Sequence, residues 1–255
     1  MTEPALERFL LRDKVALVTG GSRGLGREMV RAFASAGADV VIASRKLDAC
    51  RELAEQVEAD TGRAALAHAC HVGHWTELEP LVDAAYERFG RVDVLVNNAG
   101  MSPVYDGVAD VGEELWDKTL AVNLKGAFRL TALVGTRMAD GDGGSIVNVS
   151  SAAAERPQPA MLPYAAAKAG LNALTKGFAH AFGPTVRVNC IQAGPFFTDV
   201  SHHWDADALQ AAFRSLPMQR GGRPDEIVGA ALYLASDASS FTTGAVLPVD
   251  GGLPV

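Results

Sequence analysis

The sequence predicts an α/β fold in which a doubly wound parallel sheet of about seven strands is covered by helices on both faces. Short apolar runs alternate with amphipathic helical patterns along all 255 residues, as in chains of right-handed βαβ units. The runs are almost continuously apolar, which is typical of strands buried on both faces. No linker, repeat or low-complexity stretch divides the chain, so we expect residues 1–255 to form a single domain.

The predicted strands are runs of mainly Val, Ile, Leu and Ala, at 15–19, 39–44, 64–69, within 92–100, at 144–151, within 186–194 and within 245–252. The helical patterns between them lie at 26–37, 47–62, 75–90, 113–139, 163–182 and 224–236. The longest irregular region, 194–223, is rich in Pro, Gly, Trp and His. Loops of that length in compact domains are usually functional lids or disordered, and we interpret this one as a substrate lid.

Composition argues against some classes of function. The net charge is −7, from 30 acidic and 23 basic residues, which disfavours nucleic acid and anionic membranes as partners. The N-terminus carries acidic residues and no sustained apolar core, unlike a secretory signal. No run approaches the roughly 18 apolar residues of a membrane span. Cys50, Cys70 and Cys190 form neither a metal pattern nor a disulfide framework, so we expect reduced thiols in a cytoplasmic protein.

A glycine-rich turn lies between the first strand and the first helix. Glycines at this position allow a tight turn and a close approach of the backbone to a pyrophosphate, which then faces the helix N-terminus. The turn therefore predicts a dinucleotide site. Its candidate cofactor-binding residues are Gly20, Ser22, Arg23, Gly24, Leu25 and Gly26.

The end of the second strand discriminates between the two nicotinamide dinucleotides. An acidic residue there would hold the ribose 2′-hydroxyl of NAD. This chain has Ser44, Arg45 and Lys46 instead, and a guanidinium suits a 2′-phosphate through charge-assisted bonds. We expect Arg45 and Ser44, joined by Arg23, to favour NADP(H), with NAD(H) as the alternative.

Tyr164 and Lys168 are spaced i and i+4 on a predicted helix, so they share one face. An ammonium beside a phenol favours the phenolate and lowers the pKa of the tyrosine from its reference near 10. The pair is therefore a candidate proton donor and acceptor near neutral pH. Ser151 lies thirteen residues upstream of Tyr164, at the end of the fifth strand.

Together these residues resemble the short-chain dehydrogenase/reductase family, in particular its 3-oxoacyl-ACP reductase type, over essentially the whole chain. The glycine turn is similar to the family's TGxxxGxG, residues 97–100 to its NNAG and residues 164–168 to its YxxxK. The resemblance implies a Rossmann-type fold and a catalytic set of Asn123, Ser151, Tyr164 and Lys168, with Ser150 as the alternative serine.

In this family the serine binds the substrate oxygen, the tyrosine transfers the proton, and the lysine lowers the pKa of the tyrosine and binds the nicotinamide ribose. The asparagine holds a water that links the lysine to solvent. The resemblance also implies a homotetramer formed through the helices of Asn123 and Tyr164 and through the last strand. Further cofactor contacts that it implies are Val72, Asn98, Ala99, Gly100, Tyr164, Lys168, Gly194, Pro195 and Thr198.

Two positions depart from the family pattern. His71 stands where the family carries an aspartate that helps to hold the adenine, so that contact is altered or made by backbone alone. Ala193–Gly194 replaces the usual Pro-Gly after the sixth strand, which can change the loop on the nicotinamide side.

Substrate contacts are predicted just before Tyr164 and in the lid. The apolar pair of Met161 and Leu162 suits an acyl, cyclic or aromatic body, or packs under the lid instead. We predict no metal site, because His202 and His203 lack a third ligand at suitable spacing. The remaining candidates are Met101, Ser102, His202 and Trp204.

The sequence thus predicts an NADPH-dependent enzyme that interconverts a ketone and a secondary alcohol, on a 3-oxoacyl-type or similar small-molecule carbonyl. A sugar-acid or polyol dehydrogenase and a steroid-like alcohol enzyme are alternatives within the same chemistry. Non-catalytic dinucleotide-binding regulators and structural subunits are alternatives of other classes. They are disfavoured because Asn123, Ser151, Tyr164 and Lys168 are all present.

Overall fold

Seven strands pair side by side in the computed structural model, which describes residues 4–197, 213–214 and 216–253. They are β1 (Val15–Thr19), β2 (Asp39–Ser44), β3 (Ala65–Ala69), β4 (Val94–Asn97), β5 (Gly144–Ser151), β6 (Val186–Ala193) and β7 (Val246–Val249). Their order is β3-β2-β1-β4-β5-β6-β7, and every pair is parallel. The order reverses between β1 and β4, as in a doubly wound sheet. The predicted fold class is therefore confirmed.

Helices cover both faces of this sheet. They are α1 (Gly24–Ser35), α2 (Leu47–Thr61), α3 (Leu78–Phe89), α4 (Glu113–Leu120), α5 (Gly126–Ala139), α6 (Leu162–Phe182) and α7 (Val228–Ala235). Alternate residues of each strand point to opposite faces. Ala16 and Val18 of β1 pack in a core with α1, α2 and α7, whereas Val15 and Leu17 pack in a second core with α3 and α5. Both faces of the sheet are thus buried.

The predicted helix over 113–139 is interrupted in the structure. A five-residue π-helical turn, Ala121–Lys125, separates α4 from α5 and contains the buried Asn123. Gly126 follows at a close approach, where a Cβ atom would lie 2.2 Å from the carbonyl oxygen of Val72. Turns of this kind add one residue inside a helix and often occur at functional sites. The apolar period continues through it, so the sequence pattern did not show the turn.

Two other predicted helices begin as 3-10 turns. Trp75–Glu77 precedes α3, and Pro224–Ile227 precedes α7, with a proline in the first turn where its missing N–H costs nothing. Helices α2 and α3 end at Gly62 and Gly90, which both adopt left-handed backbone.

The residues just after β6 pair with the segment that precedes α7. Phe196 forms a parallel bridge with Gly222, and Gly222 N donates to Pro195 O at 3.0 Å. The rings of Phe197 and Phe213 meet edge to face with centroids 4.9 Å apart. Residues 198–212 and 215 lie outside the described residues, so the lid over 194–223 stays a prediction.

The three cysteines are buried and form no disulfide within the described residues. Among the helices described, none combines the length and apolar character needed to cross a bilayer.

The glycine turn and the ends of β2, β4, β5 and β6 all open on the carboxyl edge of the sheet. In open α/β sheets this is the edge where ligands bind.

Candidate active site

The glycine turn is so tight that Gly20, Gly24 and Gly26 each occupy a position that favours glycine. Gly20 has φ of +63°, in the left-handed region. A Cβ atom on Gly26 would lie 2.2 Å from the carbonyl oxygen of Gly20 and 2.6 Å from Asn98 Nδ2. Helix α1 begins at Gly24, so its free backbone N–H groups lie in the turn, where they can bind an anion.

Thr19 joins this turn to the NNAG segment after β4. Its hydroxyl oxygen accepts from the backbone N–H groups of Asn98, at 3.0 Å, and Ala99, at 3.2 Å. The hydroxyl donates to Val96 O at 3.2 Å. In return, Asn98 Nδ2 donates to Thr19 O at 2.9 Å and to Gly20 O at 3.3 Å. Thr19 was not among the predicted site residues, although it opens the motif; its hydroxyl organises both predicted cofactor segments.

A hydrogen bond joins the glycine turn to the end of β2, where a 2′-phosphate is predicted to bind. Ser22 Oγ donates to Ser44 Oγ at 2.9 Å, and Ser44 Oγ lies 3.0 Å from the sulfur of the buried Cys50. Ser44 therefore links the glycine turn to β2 and α2. Arg45 is exposed at the end of β2, which places a cation beside the turn.

The chain after β3 comes next to this cation. His71 N donates to Glu77 Oε2 at 2.7 Å, and the His71 ring stacks on His74 with centroids 4.1 Å apart. Burial, then the charges of His74 and Arg45, lower the pKa of His71. The Glu77 oxygens bond the His71 N–H and the His74 ring. Val72 follows, buried.

Asn123 is held rigidly in the π-helical turn. It is 1% exposed. Its Nδ2 donates to Met101 O at 2.8 Å and to Thr119 O at 2.9 Å, while its Oδ1 accepts from Met101 N at 3.2 Å. A Cβ atom on Gly100 would lie 3.0 Å from Asn123 Oδ1 and 3.7 Å from Lys168 Nζ. Asn123 and Lys168 thus face the same small space beside Gly100.

Lys168 lies in the interior at 3% exposure. Its Nζ donates to Val149 O at 2.8 Å, and Ser150 Oγ donates to Lys168 O at 3.1 Å. Burial lowers the pKa of Lys168 to about 8, against a smaller opposing effect of the Cys190 thiol. A lysine with this pKa exchanges protons close to neutral pH. The Ser150 hydroxyl is occupied by the helix backbone, which favours Ser151 as the reactive serine.

Tyr164 shows a pKa shift opposite to the one predicted. Burial raises the pKa of its phenol, and a hydrogen bond with the side chain of Ser151 partly offsets that rise. The Lys168 nitrogen lies 5.6 Å from the centre of the Tyr164 ring. The prediction counted nearby positive charge and left out the cost of burying a phenolate. For the protein's own groups its direction was therefore wrong.

The structure brings together part of the predicted substrate side. Met101 is fixed by Asn123, and Leu162 opens α6 two residues before Tyr164, with Met161 preceding it. Gly194 and Pro195 follow β6 at the same edge. No group of three or more potential metal ligands occurs among the residues that the structure describes. Thr198, His202, His203 and Trp204 lie outside the described residues.

The fold and these groups define a class: a Rossmann-type α/β protein with a serine, a tyrosine and a lysine beside a dinucleotide turn. A family model described as Enoyl-(Acyl carrier protein) reductase matches residues 20–254. The short chain dehydrogenase/reductase astE of Aspergillus oryzae is 39% identical over 253 residues, 97% of each chain. The chain therefore belongs to the short-chain dehydrogenase/reductase family, whose members are oxidoreductases of alcohol and carbonyl groups.

Two further relatives show how the family's substrates differ. The 3-oxoacyl-[acyl-carrier-protein] reductase FabG of Thermotoga maritima is 35% identical over 247 residues, covering 96% of this chain and 99% of the relative. A 7α-hydroxysteroid dehydrogenase solved with NADH and a 7-oxo bile acid superposes with a TM-score of 0.93 at 33% identity, covering 99% of this chain and 98% of that one.

Proposed function

We propose that this chain is an NADP(H)-dependent oxidoreductase that reduces a ketone to a secondary alcohol, or runs the reverse reaction, on a 3-oxoacyl-type or similar carbonyl. The observation that carries the proposal is the meeting of Ser151, Tyr164 and Lys168 at the carboxyl edge of the sheet, beside the glycine turn. The likeness to a 3-oxoacyl reductase supports the substrate type. The homotetramer expected from the family is part of the same proposal.

The residues present fit a dinucleotide. The turn leaves no room for a Cβ atom at Gly26, which allows backbone to approach a pyrophosphate, and the first N–H groups of α1 would bind it. Asn98, Ala99 and Gly100 would line the path toward Lys168, and Arg45 with Arg23 would hold a 2′-phosphate. When bound, NADPH supplies the hydride for the carbonyl carbon.

The chain's own residues handle the substrate oxygen and the proton. The Ser151 hydroxyl, which lies within hydrogen-bonding reach of the Tyr164 phenol, donates its one hydrogen bond to the substrate oxygen when a carbonyl binds. Tyr164 gives its proton to that oxygen on reduction and takes it back on oxidation. Lys168, with a pKa of about 8, restores the proton, and Asn123 beside it would hold a water that connects the pair to solvent.

Arg45 is the residue on which the cofactor preference depends. Arg45→Asp places a carboxylate where the 2′-phosphate would lie, so fluorescence titration should show NADPH binding at least about tenfold more weakly, with NADH binding retained or improved. Arg88→Asp is the matched control, because Arg88 is exposed at the end of α3 on the opposite edge of the sheet. Equal affinities for NADH and NADPH in the unmodified protein would contradict the preference for NADP(H).

The substrate type is tested by turnover of the purified protein. We expect NADPH oxidation with 3-oxoacyl thioesters, faster than with diketones or sugar ketones. Faster NAD⁺ reduction with polyols or sugar acids would favour the dehydrogenase alternative. No turnover with any of these carbonyls or alcohols, despite tight dinucleotide binding, would favour a regulatory binding protein.

The outer face of α4, α5 and α6 supports the proposed homotetramer. Its exposed side chains include Trp116, at 42%, and Phe128, at 40%. Leu120, Leu124 and Leu174 line a shallow apolar hollow on the same face. Large exposed apolar patches are typical of interfaces. Light scattering of the purified protein would show a mass four times that of the chain, and a monomer would contradict this part of the proposal.

A further inference from the structure

Tyr105 joins two loops that border the candidate active site. Its hydroxyl donates to Pro159 O at 2.6 Å and accepts from Leu162 N at 2.7 Å. One phenol therefore uses its donor and an acceptor lone pair at once, on a segment more than fifty residues away in the sequence. The Tyr105 side chain is itself half-buried.

The bond to Leu162 caps a helix that no neighbouring side chain caps. Leu162 is the first residue of α6. The side chain of Met161, the residue before it, makes no hydrogen bond to the first turn of this described helix. Pro163 follows and has no N–H to satisfy. The free N–H groups at a helix start need partners, and the Tyr105 hydroxyl supplies the partner for Leu162. Tyr164 lies two residues further along.

The other end of the Tyr105 loop is fixed to a catalytic candidate. Met101, four residues earlier, exchanges two hydrogen bonds with the Asn123 amide, at 2.8 and 3.2 Å. The segment 101–105 therefore runs from Asn123 to the start of α6. Its two anchors fix the distance between the π-helical turn and the segment 159–162, where the predicted substrate contacts Met161 and Leu162 lie.

We propose that Tyr105 is a positioning residue whose hydroxyl fixes the segment 159–162 as one wall of the substrate site. The inference rests on the proposed function, because the wall matters only if a carbonyl substrate binds beside Tyr164. Tyr105 acts through the backbone of Pro159 and Leu162. Loss of its hydroxyl leaves a backbone N–H and a C=O without their protein partner, so the wall loosens while the dinucleotide turn is untouched.

Tyr105→Phe tests this inference, with Tyr233→Phe as the matched control. Tyr233 is also half-buried, and its hydroxyl hydrogen-bonds with Thr242 Oγ1 at 2.9 Å, near the end of α7. In Tyr105→Phe we expect amide exchange at Leu162 to become about tenfold faster, as for the loss of about 1.4 kcal/mol. The KM for the carbonyl substrate should rise about fivefold or more, with kcat and the Kd for NADPH within about twofold. Tyr233→Phe should change none of these.

Two outcomes would overturn the inference. The first is unchanged amide exchange across 157–162 in Tyr105→Phe. The second is faster exchange there with no change in KM. Exchange and NADPH titration need no substrate, so they report on Tyr105 even if every carbonyl screen is negative. In contrast, wild-type turnover in Tyr164→Phe would refute the proposed chemistry and leave the exchange result standing.

Discussion

The ammonium nitrogen of Lys168 lies 5.6 Å from the centre of the Tyr164 ring, and burial shifts the pKa values of both groups toward their neutral forms. The pKa of Tyr164 is raised and that of Lys168 is lowered to about 8. Burial disfavours whichever form is charged. A neutral phenol beside a lysine that readily releases its proton suits a reduction, in which Tyr164 must hold a proton until the substrate oxygen needs it.

Tyr164→Phe should abolish turnover, because phenylalanine keeps the ring and removes the proton. The loss of a general acid corresponds to about 10²–10⁴-fold in kcat. The Kd for NADPH should change by less than about threefold, since the glycine turn and Arg45 are unchanged. Steady-state rates and fluorescence titration measure the two quantities. Activity near the wild-type level in this variant would remove Tyr164 from the mechanism.

Ser151→Ala should raise the pKa of Tyr164 further. The Ser151 hydrogen bond lowers that pKa against the effect of burial, so its removal leaves burial unopposed. Alcohol oxidation needs the deprotonated phenol, and its rate rises as the pH passes the pKa of Tyr164. The limb of the kcat/KM profile on which the oxidation rate rises with pH should therefore move to higher pH in Ser151→Ala, with lower activity throughout.

Ser150→Ala is the control for Ser151→Ala, because the Ser150 hydroxyl donates to Lys168 O in the interior. Ser150→Ala should lower the free energy of unfolding and leave the pH at which the oxidation rate rises unchanged. If this limb of the pH profile shifts in Ser150→Ala and does not shift in Ser151→Ala, Ser150 and not Ser151 is the serine that acts on Tyr164.

The strands and the glycine turn were predictable, because buried parallel strands and a glycine-rich turn between strand and helix leave local patterns in the sequence. Three features were not. The π-helical turn at Asn123 keeps the apolar period of its neighbours. The pKa direction at Tyr164 depends on burial, which the spacing of Tyr164 and Lys168 does not report. The Tyr105 contact with Pro159 and Leu162 joins distant segments, so no local pattern marks it.

Gly26→Ala should disrupt the dinucleotide turn. The new methyl group would lie 2.2 Å from the carbonyl oxygen of Gly20, and that backbone is itself fixed by Asn98. We expect a loss of about 2–4 kcal/mol in the free energy of unfolding and a weakening of NADPH binding by more than about tenfold. Chemical denaturation and fluorescence titration measure both.

Gly229→Ala is the matched control for Gly26→Ala. Gly229 lies on the exposed side of α7, and a Cβ atom there meets nothing within 4 Å. The alanine should be neutral or stabilising by up to about 1 kcal/mol. NADPH binding as tight in Gly26→Ala as in Gly229→Ala would mean that the turn does not approach the dinucleotide.

Lys168→Met should make the protein inactive and more stable at pH 7. A pKa of about 8 in place of 10.5 corresponds to a cost of about 3 kcal/mol for keeping Lys168 charged in the folded state. Below pH 8 both states hold the proton and the full cost is present. Between pH 8 and 10.5 the unfolded chain binds more protons than the folded one, so stability rises with pH and the cost disappears.

The gain in Lys168→Met should therefore be about 1–3 kcal/mol at pH 7, allowing for the lost bond to Val149 O, and should shrink as the pH approaches 10. Lys176→Met, an exposed lysine on the same helix, should change stability by no more than about 0.5 kcal/mol at either pH. Denaturant unfolding at pH 7 and pH 9.5 measures the difference. A pH-independent gain would show that Lys168 is not a buried charge, and the proton path through it would then need another group.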